Sequence, residues 1–164
     1  MADIEDPFTP APRERLMLNA VNDREKIDAF LDKLVAMYHT DARTKTPVQT
    51  CAGSAVSAAV QMLEKTGGRV VLCQAGANTI GAGALKSRDS SKEYNQATEG
   101  KMFGHTPDHQ FYGELGKKAL TNRVVVDMFI ASKVSSGVSL DLASMSVLTQ
   151  YTGGELIYYH LFDA

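Results

Sequence analysis

The stretch RVVLCQAGANTIGAGALKSR, Arg69 to Arg88, comes closer to a recognisable chemistry than any other part of this chain. An apolar run from Val70 to Cys73 opens into a loop with glycines at 76, 81 and 83, and the pair Lys86-Ser87 follows. A phosphate-binding loop has a similar order, strand then G-x-x-x-x-G-K-[ST]. Its amides cradle phosphate, its lysine meets the β- and γ-phosphates, and its hydroxyl holds magnesium. Gly76 and Gly81 have the required separation, but Ala82 and Gly83 stand where the lysine and hydroxyl belong. Two helical patterns also precede the strand, whereas such loops usually follow the first strand of a domain. The stretch reads as a glycine-rich turn leaving a buried strand. A small nucleotide-binding protein using residues 76–87 is the alternative.

Other reactive types are scattered. His105 and His109 have i,i+4 spacing with Asp108 beside them, yet Pro107 between them disfavours the helix that would align both rings. No cysteine pair completes a zinc set. His39 at a helix end suits its last carbonyls, and His160 in the final strand suits packing or surface exposure. Cys73 lies inside an apolar strand, where burial makes a thiol inert. Cys51 lies near a helix start with no histidine close in sequence. Ser54 and Ser57 fall in a helical pattern, without the strand-to-helix turn that exposes a hydrolase serine. These arrangements lead us to expect no enzyme, no metal site and no cofactor.

The elements that would position these residues alternate. The 164 residues are 44% hydrophobic and 22% charged, with a net charge of −2, as in an ordinary single domain without a basic bias for nucleic acid. MADIEDPFTP carries acids and prolines where a signal peptide would be apolar, so a cytoplasmic protein with reduced thiols is expected. Pro7, Pro10 and Pro12 end a short extended piece. A helix follows, capped by Asn22 or Asp23, with an apolar stripe of Ile27, Phe30, Leu31, Leu34 and Tyr38. CAGSAVSAAVQMLEKTGG reads as a second helix stopped at Gly67-Gly68. RVVLCQ reads as a strand covered on both faces. Residues 87–110 read as a long polar loop with the composition of a disordered segment. FYGELGKKALTN reads as a helix, RVVVDMFIAS as a strand, SLDLASMSVLTQYTGG as a helix, and ELIYYHLF as the last strand, whose Tyr158 and Tyr159 face opposite sides. Strands alternating with helices imply an α/β fold, a mostly parallel sheet in three layers. The first strand arrives only at residue 69, so the pattern reads as the second half of such a fold.

ADIEDPFTPAP, CAGSAVSAAVQMLEKTGGRVVLCQ, GAGALKSRD, FYGELGKKA, VVVDMFIAS and LTQYTGGELIYYHLF, in this order, resemble the trunk region of the cargo-binding subunit of the COPII vesicle coat, the Sec-twenty-four family. The resemblance runs from Ala2 to Phe162. It implies a von Willebrand factor A-type fold without enzymatic activity, present here as its C-terminal part. It implies a coat component that selects cargo for ER-to-Golgi transport. The implied partners are the other inner-coat subunit, the cytosolic tails of cargo proteins and, indirectly, a Sar-type GTPase, with location on the vesicle coat at the endoplasmic reticulum membrane. A zinc finger is expected only in the N-terminal part of full-length members. The magnesium site of adhesion-type A domains is not expected, since Gln74 and Ala75 stand where an aspartate would be sought. Asn78 and Ala82 occupy positions where the family pattern has prolines, which predicts a looser loop. From charge, Lys86 and Arg88 are candidates to meet an acidic partner surface. The strand at 69–74 is expected to leave an edge open to self-association.

Overall fold

A computed structural model describes residues 7–40, 49–86, 99–100, 109–132 and 140–160. The chain divides into two compact units, one of residues 9–48 and one of residues 1–8 with 49–164. The first unit holds α1 (Arg13–Leu16) and α2 (Arg24–Thr40). Asp23 stands before α2 as expected, but its carboxylate turns back to accept the Asn19 amide and to pair with Lys26 at 2.6 Å. The stripe on α2 is present as a pattern, and Phe30, Leu31 and Leu34 are all exposed.

The second unit contains α3 (Ala52–Met62), β1 (Gly68–Gln74), α4 (His109–Thr121), β2 (Val124–Ser132), α5 (Leu142–Thr152) and β3 (Leu156–His160). The three strands form one parallel sheet in the order β1-β2-β3, as the alternating pattern requires. Helix α4 begins two residues before the expected FYGELGKKALTN, at His109. The rest of the loop expected over 87–110 lies outside the described residues, apart from a helical pair at 99–100. His105 and Arg88 are outside them too.

Local chemistry sets the ends of α5. Asp141 accepts the Ser144 amide at its start, and Gly153, at φ 69°, turns the chain out of its last turn into β3. The core lies between the helices and one sheet face. Val124, Val126, Met128 and Ile130 from β2 pack with Val56 and Val60 of α3, Tyr112, Leu115 and Ala119 of α4, and Met145 and Leu148 of α5.

The expectation that β1 is covered on both faces is not met. Val71 is 56% exposed and Cys73 is exposed as well. Topology supplies the reason. Strands that follow one another in the sheet, joined by right-handed crossovers, place every crossover helix on the same face; only a reversal of strand order puts helices on the other. Since the order here is 1-2-3, the core residues of α3, α4 and α5 all meet one face, and the other is left open among the described residues. Cys73, expected to be buried and inert, belongs to that open face.

Candidate interaction surface

The open face can be read from the register. Val71 lies beside Asp127, Cys73 beside Phe129, Ile157 beside Phe129 and Tyr159 beside Ala131, and parallel partners point the same way. The face is therefore Arg69, Val71 and Cys73, then Val125, Asp127, Phe129 and Ala131, then Ile157 and Tyr159. Most of these are apolar, and Tyr159 is 44% exposed.

One polar pair crosses this face. Asp127 is buried at its base, accepts the Glu155 amide at 3.0 Å, and forms an ion pair with Arg69. The backbone hydrogen bond from Glu155 is the main cause that holds its carboxyl below the usual carboxylate range, and Arg69 adds to it. The carboxylate thus fixes the turn into β3 while neutralising the one cation of β1.

At the C-terminal end of β1 the loop 75–86 is tied down. Asn78 is fully buried. Its amide nitrogen donates to the Gly83 carbonyl at 2.7 Å and to the Tyr112 hydroxyl at 2.8 Å, and that hydroxyl donates to the same carbonyl at 2.7 Å. The Thr50 carbonyl accepts the amides of Thr79 and Ile80, Ser54 Oγ accepts the Ala82 amide, and Asn78's carbonyl accepts the Leu85 amide. Gly83 has φ 68° and lies against the Phe111 ring, so only glycine fits there. The looser loop predicted from the missing prolines is therefore not found: a buried asparagine holds the turn by hydrogen bonds where a proline would hold it by its ring. The same bonds occupy the amides of Thr79, Ile80, Ala82 and Leu85, which a phosphate cradle would have to leave free.

Beside this loop, Thr50, Cys51, Ala52, Ala55, Leu72, Cys73, Gln74 and Ala75 line an apolar cleft of about 250 Å³. Gln74 is buried, and its side-chain nitrogen bonds the Gly76 carbonyl while its Oε1 has no partner among the described residues. Lys86 is exposed at the loop's end. Sequence reasoning singled out Lys86 and the pair Tyr158 and Tyr159; it noted Gln74 and Asn78 only as departures from a pattern, without their hydrogen bonds, and missed Asp127. An asparagine four residues after a strand, in a chain with a distant tyrosine, gives no local signal of a shared hydrogen bond. His160 is exposed on the last strand, and Ser54, weighed as a nucleophile, serves as a tether for the loop.

Comparison with known proteins points one way. The profile of the Sec23/Sec24 trunk domain matches residues 1–164. Protein transport protein Sec24A of Bos taurus is 36% identical over 160 residues, 97% of this chain and 13% of that protein. Protein transport protein SEC24 of Pyricularia oryzae is 30% identical over 164 residues, all of this chain and 16% of that protein. The crystal structure of the human COPII-coat protein Sec24c superposes with a TM-score of 0.71 at 25% identity, over 89% of this chain and 19% of that one. The chain spans less than a fifth of the length of each of these relatives.

Proposed function

We propose, because this chain belongs to the Sec23/Sec24 trunk-domain family, that it serves as a non-catalytic contact module of a COPII-type coat, acting in cargo selection and ER-to-Golgi vesicle transport through protein–protein contacts. The observation that carries this reading is a sheet covered on one face among the described residues, with a hydrogen-bonded loop at one end and an apolar open face, where an enzyme would need convergent reactive groups. Its partner in this reading is the other inner-coat subunit. Cargo tails on the cytosolic side of the endoplasmic reticulum and, indirectly, a Sar-type GTPase are further partners of the assembled coat.

Lys86, exposed where the loop ends, is the candidate contact to an acidic partner surface, together with Arg88. The test is a binding titration of this chain against the purified partner subunit. Saturable binding supports the reading, and no binding by a chain whose circular dichroism shows it folded removes it. Replacing Lys86 and Arg88 with glutamate should weaken that binding; unchanged affinity would discard the pair while leaving the wider proposal intact.

A further inference from the structure

At the pole where β1 and β2 begin, two turns enclose a second cleft. The turn of Glu64 to Gly67 joins α3 to β1, and the turn of Thr121 to Arg123 joins α4 to β2. Together they line a polar cavity of about 140 Å³.

The two turns are built alike. The Leu63 carbonyl accepts the Thr66 and Gly67 amides, the Lys118 and Leu120 carbonyls accept those of Asn122 and Arg123, and the Gly68 amide crosses to the Arg123 carbonyl. Each turn also passes through one residue in the left-handed region, Gly67 at φ 66° and Arg123 at φ 57°. Glycine enters that region freely, whereas an L side chain there crowds its own backbone. The second turn therefore carries an arginine where glycine is the more favourable residue.

A cation beyond a helix end ordinarily serves the last carbonyls. Here the carbonyls of Leu63, Lys118 and Leu120 are bonded to the amides just named, and Thr121 Oγ1 donates to that of Lys117 at 2.9 Å. Lys65 and Arg123 are exposed, and neither side chain makes an ion pair, hydrogen bond or ring contact among the described residues. The half-buried side-chain amide of Asn122 is likewise without a partner among them. Glu64 is the one carboxylate of the lining, so the cleft is net positive in a chain whose net charge is −2.

We infer that this cleft binds a phosphate group of a small soluble molecule. A guanidinium presents paired N–H donors that match two phosphate oxygens, Lys65 adds a point charge, and the Asn122 amide adds a neutral donor. A membrane surface fits less well, because lipid-binding patches gather about 4–8 cations on one face and this cleft supplies Lys65 and Arg123 alone.

Pyrophosphate titrated into the isotope-labelled chain at constant ionic strength should shift the amide resonances of Gly67 and Asn122 saturably, with a dissociation constant of about 1 mM or below. Arg123→Gln and Lys65→Gln should each raise that constant about tenfold, and Glu64→Gln should lower it. Lys33→Gln, which removes an exposed cation on α2, should leave it unchanged. Arg123→Gly should weaken binding as Arg123→Gln does and yet raise the urea midpoint, since glycine then occupies the left-handed position. No saturable shift in a chain whose spectrum shows it folded, wild-type affinity in both Arg123→Gln and Lys65→Gln, or binding to phosphatidylserine vesicles without binding to pyrophosphate would each overturn the inference.

Discussion

On one face of the sheet Val126 and Ile130 of β2 are wholly buried beneath α3, α4 and α5; on the other, Val71 of β1 is more than half exposed and Tyr159 of β3 nearly so. Apolar residues stand on both faces of the strands. Val70 and Val71 are the same residue type, adjacent in one strand, and only the first packs against the core. What separates them is where the crossover helices land. The covered face stabilises the fold, and among the described residues the other face is open and crossed by a single ion pair.

The comparison breaks first at Leu148. It is fully buried, so Leu148→Ala should cost about 3 kcal/mol through lost transfer energy and a residual cavity, whereas Val71→Ala should cost well under about 1 kcal/mol. Urea unfolding of the two variants checks this, and equal losses would mean the faces are energetically alike.

Next in size is Asn78→Ala. It deprives the Gly83 carbonyl and the Tyr112 hydroxyl of a donor in a buried site, and a loss of about 2 kcal/mol is expected. Limited proteolysis should also begin to cut within 75–86. If stability and cleavage stay unchanged, the loop is held by something other than this network.

Asp127 sharpens the contrast on the open face. Its carboxyl is lowered by the Glu155 amide first and by Arg69 after that, so its ionised form is the one that stabilises the fold. That stability is fully present above the unfolded-state value of 3.8 and is lost as pH falls through the lower folded value. Between neutral pH and pH 3, the urea midpoint of the wild type should therefore fall more steeply than that of Asp127→Asn. Parallel slopes would show that the carboxylate contributes nothing to acid stability. The smallest effect is expected from Val71→Ser measured at low protein concentration, within about 0.5 kcal/mol, since a half-exposed side chain away from the core loses little.

Much of this was legible before any fold was drawn. Gly153 marked a helix end because glycine enters positive φ freely, and the apolar runs after both glycine pairs fall in β1 and β3 as expected, but the helix expected to stop at Gly67-Gly68 ends at Met62, with turns in between. The order of quoted motifs carried the family. The burial of β1 was misread, because an apolar run records what a strand can bury and not whether a helix arrives to bury it. The loop was misread for a related reason. Removing prolines loosens a chain only if nothing else holds it, and the hydroxyl that completes Asn78's network comes from Tyr112, 34 residues away.

The sequence by itself therefore determined the elements, their parallel pairing and the family, since periodicity, turn chemistry and motif order are local properties of the chain. The tertiary structure alone decided which face of the sheet is covered among the described residues and which hydrogen bonds hold the loop. Those depend on the direction of crossovers and on hydrogen bonds between distant residues, which no local pattern encodes.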